Sequence, residues 1–188
     1  MTDRIVVALT GASGAIYGIR ALQMLDELGI ETHLILSPAA SVTIAQETDW
    51  SVSRVLDLAT VHYDRNDIAA PIASGSFATR GMIVIPCSIK TLSAIANSYA
   101  DDLIVRAADV QLKEGRTLIL VVREAPLHRG HLRLMDLAAR AGAVIFPPVP
   151  AFYGRPQTLD DVVTATVGRA LLRLGIDNTG YTRWTGPG

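Results

Sequence analysis

Five short apolar runs constrain this chain more than any motif in it. Residues 5–9, 33–36, 82–85, 118–122 and 144–146 are near-continuous stretches of Val, Ile, Leu, Met, Ala and Phe. Each is too short for a helix, and none alternates with period two. That is how strands buried on both faces of a parallel sheet read. Helical patterns lie between and after them. Residues 15–28 put Ile19, Leu22, Leu25 and Leu28 on one stripe. Residues 158–174 do the same with Leu159, Val162, Val163, Thr166, Ala170, Leu171 and Leu174. Thr158 and Asp161 have the spacing of a capping box at its start. Alternating strands and helices predict a three-layer α/β fold with a mainly parallel sheet and right-handed crossovers. Two stretches resist the pattern: residues 64–80, rich in Ala, Ser and Gly, and PPVPAFYGRP (147–156), whose four prolines demand a rigid, extended loop.

Size and charge exclude several functions. The 188 residues suit one domain spanning 1–188, and a hydrophobic fraction of 49% with net charge −1 excludes disorder. No basic face or charge run marks a nucleic-acid partner. No run approaches the roughly 18 apolar residues of a bilayer span. The N-terminus lacks a signal-peptide layout, and one cysteine fits a reducing cytoplasm. A mean hydropathy of +0.32 points equally to a large core or to surface buried between subunits.

In an open parallel sheet, ligands bind beyond the carboxyl ends of the strands. After the first run stands TGASGA (10–15), a tight turn into a helix whose N-terminus attracts phosphate. It matches neither the dinucleotide fingerprint nor the P-loop, and a plain βα turn explains it equally well. After the second stands Ser37, which reads as an N-cap. After the third, PCSIKT (86–91) offers Ser88 and Thr91 at a further helix start. Cys87 there reads as a small buried hydrophobe. After the fourth, Arg123 and Glu124 suit phosphate binding and proton transfer. The fifth leads into the proline loop with Tyr153. Together these groups predict a site for a phosphate-bearing small molecule.

Other candidates weigh less. His128 and His131 have metal-ligand spacing without a third ligand, so packing or solvated histidines are favoured. Asp101-Asp102 reads as a loop or cap, since no second acidic cluster accompanies it. Arg169 lies roughly 100° from the centre of its helix's apolar stripe, so it reads as solvent-facing. Trp184 reads as an aromatic anchor.

The chain resembles the flavin prenyltransferases of the UbiX/Pad group. The resemblance rests on TGASGAIYG (10–18), SPAA (37–40), ETD (47–49), ASGSF (73–77), PCSIKTLSAIA (86–96), RAADVQLKEGR (106–116), REAPLH (123–128) and PPVPAFYGRPQ (147–157). Trp184 fits as well, and the likeness covers essentially the whole chain. It implies a Rossmann-like or flavodoxin-like fold, a homododecamer built from trimers, and reduced FMN bound at subunit junctions. It also implies metal-independent transfer of a dimethylallyl group from dimethylallyl monophosphate to N5 and C6 of that flavin. The prenylated FMN then serves UbiD-type decarboxylases.

Residue by residue, Gly11, Ala12, Ser13, Ser37, Ser88, Ile89, Lys90, Thr91 and Arg123 resemble the flavin site. Lys113, Arg123, Tyr153 and Arg169 resemble the substrate phosphate site, with Arg106 lining it. Ser13, Glu47 and Glu124 resemble the polar groups near the reacting flavin edge. Two positions depart from the pattern: Gly115 stands where many relatives have Arg, and Asp101 where some have Asn. Two other readings stay open. One is a non-catalytic FMN-binding accessory subunit of a hydroxyarene decarboxylase. The other is a flavoprotein that oxidatively decarboxylates cysteine-bearing substrates, against which PCSIKTLS (86–93) argues.

Overall fold

The computed structural model describes residues 3–186. The single-domain reading runs over 1–188, so its first two and last two residues lie outside the described ones. Among the described residues, six strands form one parallel sheet: β1 (Arg4–Leu9), β2 (Glu31–Leu36), β3 (Val61–Tyr63), β4 (Gly81–Cys87), β5 (Thr117–Val122) and β6 (Val144–Ile145), in the order β3-β2-β1-β4-β5-β6. Seven helices connect and follow them: α1 (Ala15–Glu27), α2 (Pro38–Glu47), α3 (Val52–Leu56), α4 (Ile89–Ala96), α5 (Leu103–Lys113), α6 (Arg129–Arg140) and α7 (Leu159–Arg173).

The unbroken apolar runs are explained by burial on both faces. Ile5, Val7 and Leu9 face a core built with α1, α2 and α7, while Val6 and Ala8 face a second core built with α4, α5 and α6. All five side chains are fully buried. Close packing needs a gap in the side-chain layer: a Cβ on Gly18 of α1 would sit 2.5 Å from the Ile85 carbonyl oxygen and from Leu9. The capping box forms as its spacing predicts. Thr158 Oγ1 accepts from the Asp161 amide at 3.1 Å, and Asp161 accepts from the Thr158 amide at 2.9 Å.

The predicted elements and the observed ones differ in two ways. β3 is absent from the sequence reading, because three residues at a sheet edge carry too little apolar pattern to register. The run at 144–146 shortens to Val144–Ile145, although the Phe146 amide still donates to the Leu120 carbonyl at 2.9 Å. The stretch 64–80 holds one short 3-10 turn (Pro71–Ala73), and the proline loop has no regular structure, as expected.

β3 is anchored by a polar chain at the amino half of the sheet. Buried His33 bonds Tyr63 Oη at 2.8 Å and Glu31 at 2.9 Å, and Arg4 donates to Glu31 at 2.9 Å. The Arg4 hydrogen bond holds the Glu31 carboxyl below its ordinary value. A lowered carboxyl contributes stability that is present above its unfolded pKa and is lost as pH falls through the folded one. Glu31→Gln is therefore expected to lower the urea midpoint at pH 7. The difference from wild type should shrink as pH falls through the acid range and the carboxylate is protonated. A constant difference across that range would show that the carboxylate charge is not the cause.

Candidate functional site at the carboxyl edge of the sheet

The strand order reverses between β1 and β4, and the crevice opens there. Thr10 closes its floor. The fully buried Thr10 hydroxyl donates to the Pro86 carbonyl at 2.8 Å and accepts from the Ser88 amide at 2.8 Å. The end of β1 is thus tied to the entry of α4. Gly11 must lack a side chain, because a Cβ would lie 2.2 Å from that of Ala39.

Ser37, Ser88 and Asp102 are the N-caps of α2, α4 and α5. They accept from the amides of Ala40 (3.1 Å), Thr91 (3.3 Å) and Val105 (3.0 Å) respectively. These three helix N-termini converge on one cleft of about 460 Å³. It is lined by five of the sequence-predicted flavin residues, Gly11, Ser37, Ser88, Lys90 and Thr91. The amide dipoles at the α2 and α4 N-termini and the Lys90 ammonium suit an anionic group there, while Asp101 and Asp102 put carboxylates on the α5 side. Sequence reasoning missed Arg65, whose guanidinium lies 3.6 Å from Asp102 across the same cleft. No local signal points to it, since it belongs to the loop after β3. Asp101 also lines the cleft. Ala12 is buried, Ser13 is exposed beside it, and Ile89 packs against the second core.

One expectation is corrected. The N-terminus of α1 does not stand free for a phosphate: Glu47, at the end of α2, accepts from the Gly14 amide at 2.7 Å and the Ala15 amide at 3.2 Å. Glu47 supplies the cap that Gly14, in a left-handed conformation, has no side chain to give. The Glu47 carboxylate therefore sits against the Ser13 turn.

Arg123 and Glu124 follow β5 and are exposed; the Arg123 amide donates to the Cys87 carbonyl at 3.1 Å. Cys87 is fully buried and its thiol is pushed up to about 12 by desolvation, so it is no nucleophile. His128 caps α6 through a 3.0 Å bond from the Gly130 amide, and its ring lies 3.6 Å from that of His131. Among the described residues, no group of three or more His, Cys, Asp or Glu is arranged to hold a metal.

The proposed phosphate ligands fall on opposite faces of the sheet. Arg106 and Lys113 lie on α5, which packs on the second core. Arg106 donates to the Ala73 carbonyl at 3.1 Å, and Lys113 pairs with Glu114 beside Gly75. Arg169 lies on α7, which packs on the first core, and its guanidinium sits 5.4 Å from the Tyr181 ring centre. Tyr153 hydrogen-bonds Tyr181, and Trp184 stands edge-on to it at 5.6 Å. Within one chain, the sheet separates Lys113 from Tyr153 and Arg169. Arg169 is exposed, as its helical phase predicts, and Trp184 is exposed beside Tyr153.

The sequence profile of the flavoprotein family matches residues 1–171. The flavin prenyltransferase UbiX of Escherichia coli (strain K12) is 59% identical over 97% of this chain and 98% of its own length. A crystal structure of AnUbiX in complex with FMN and dimethylallyl pyrophosphate superposes with a TM-score of 0.96 at 52% identity, covering 98% of both chains. A dodecameric FMN-dependent Ubix-like decarboxylase from Escherichia coli O157:H7 gives 0.94 at 49% identity, covering 97% of this chain and all of that one.

Two stability effects follow from the site's construction. Thr10→Val removes the hydroxyl bridge and leaves the half-buried Ser88 amide without its partner, so it is expected to cost on the order of 1–3 kcal/mol in urea unfolding. Thr10→Ser should recover most of that loss. Glu47→Ala uncaps α1 and is expected to cost about 0.5–2 kcal/mol. Unfolding midpoints at wild-type values would show that neither contact contributes.

Proposed function

The chain belongs to the flavoprotein family and, within it, to the flavin prenyltransferases, and on that premise we propose that it moves a dimethylallyl group from dimethylallyl monophosphate onto reduced FMN. The observation that carries this reading is the cleft into which α2, α4 and α5 direct their N-termini beside Lys90. Such a cleft fits a phosphate-bearing ligand of flavin type without a metal. Ser37, Ser88, Ile89, Lys90, Thr91 and Arg123, with the Gly11–Ala12–Ser13 turn, hold the flavin. Reduced FMN supplies electron-rich N5 and C6 as acceptors of the allyl group.

The chain's own residues handle charge and protons. As the allylic C1–O bond breaks, negative charge builds on the leaving phosphate. Tyr153 and Arg169 stabilise that charge by hydrogen bonding and Coulomb attraction. Arg106 and Lys113 join them from a second copy, because the sheet stands between the two sets within one chain. That division is the physical reason for an oligomer, and we take it to be a homododecamer built from trimers. Glu124 accepts the proton released at the flavin edge, with Ser13 relaying it. Glu47 holds the Ser13 turn against α1. The chain acts as one flavoprotein domain in the cytoplasm, and its product is taken up by a UbiD-type decarboxylase. No helix among the described residues is long and apolar enough to cross a membrane.

The test is anaerobic incubation of the protein with reduced FMN and dimethylallyl monophosphate, followed by mass spectrometry of the released flavin. The expected product is heavier than FMN by one dimethylallyl unit. Unmodified FMN from a protein that binds it, with both the monophosphate and the diphosphate supplied, would favour the accessory-subunit reading.

A further inference from the structure

The C-terminal segment reaches back to both phosphate ligands carried by the first core's face. It can do so because α7 has a flat spot at Gly168. A Cβ there would stand 2.6 Å from Asn178 Oδ1 and 3.0 Å from the Tyr181 amide nitrogen. Asn178 locks the segment down: its Nδ2 donates to the Gly168 carbonyl at 3.0 Å, and its Oδ1 accepts from the Gly180 amide at 3.1 Å. The chain then delivers Tyr181, half-buried, to the residue next along the helix, Arg169. The Arg169 guanidinium lies 5.4 Å from the Tyr181 ring centre, within cation–π range. The Tyr181 hydroxyl bonds that of Tyr153, with the two rings 6.4 Å apart and crossed at 81°.

From this geometry we propose that Tyr181 is a positioning residue of the allylic-phosphate site, orienting the Tyr153 hydroxyl by its own hydroxyl and seating the Arg169 guanidinium on its ring. The role rests on the function proposed above. Tyr153 is 43% exposed and sits in a loop without regular structure. A phenol there loses rotamer freedom when it captures a phosphate, and a preset hydrogen bond removes that loss before binding. A phenol that donates to Tyr153 leaves the Tyr153 proton free to donate onward, and linked hydrogen bonds polarise one another.

Tyr181→Phe keeps the ring beneath Arg169 and removes the hydroxyl. It is expected to raise KM for dimethylallyl monophosphate by about three- to tenfold, the size of one lost hydrogen bond. Affinity for FMN, read by flavin fluorescence, should hold, while kcat should also fall, because Tyr153 meets the charge that develops on the leaving phosphate. The decisive readout is coupling: once Tyr153→Phe is in place, adding Tyr181→Phe should change KM no further. If Tyr181 merely packed, Tyr181→Phe would shift KM equally in the Tyr153→Phe and wild-type backgrounds. Wild-type KM in Tyr181→Phe, or effects that simply add, would overturn the positioning role while leaving the transferase reading intact. A wild-type protein that makes no prenylated flavin from either donor would overturn both.

Discussion

The geometry of the crevice depends on one hydroxyl. Thr10 stands where the strand order reverses, and its side chain satisfies a carbonyl at the end of β4 and an amide at the start of α4. In a dry interior such a pair fixes spacing, because either backbone group left alone would lose its partner without gaining water. The tie joins the Gly11 turn to the Ser88 cap. Gly11 in turn lets Ala39, and with it the N-terminus of α2, come within contact distance. The Gly11 turn and the N-termini of α2 and α4 are positioned by that chain of contacts.

Four helix N-termini bear on this edge, and they are used differently. At α1 the chain supplies its own anion, Glu47, from the end of the neighbouring helix. At α2, α4 and α5 short side chains cap the first turn. Ser37 and Ser88 do so without adding charge, whereas Asp102 brings a carboxylate that Arg65 faces. The positive field therefore concentrates at the α2 and α4 ends, beside Lys90. The distribution separates a carboxylate that stabilises the turn from the place where an external anion fits.

The residues proposed to bind the donor's phosphate obey a different constraint. A helix in a three-layer fold commits to one face of the sheet by its apolar stripe. α5 and α7 commit to opposite faces, so basic residues on them cannot meet inside one chain. Assembly is the remaining way to bring them to one anion. The positive mean hydropathy, which fits a large core and buried subunit surface equally well, agrees with that arrangement.

Much of this was legible in the sequence. The parallel sheet followed from apolar runs that only two-sided burial explains. α1 and α7 followed from their stripes, and the capping box of α7 from two residues at the right spacing. Four of the cleft's lining residues, Gly11, Ser37, Ser88 and Thr91, followed from their places after strands, since topology sends every strand end to the same edge, whereas Lys90 came from the family resemblance. The exposure of Arg169 followed from helical phase. Other features had no local signature. β3 is held by the pairing of Tyr63 with His33, residues thirty positions apart. Glu47 caps a helix that begins thirty-two residues before it. Arg65 reaches the cleft from a loop, and Tyr181 meets Arg169 because a glycine thirteen residues earlier, Gly168, leaves room for the tail. Periodicity and spacing report what a residue's own element requires. Contacts between elements are decided by how the layers pack, and only the tertiary structure carries that information.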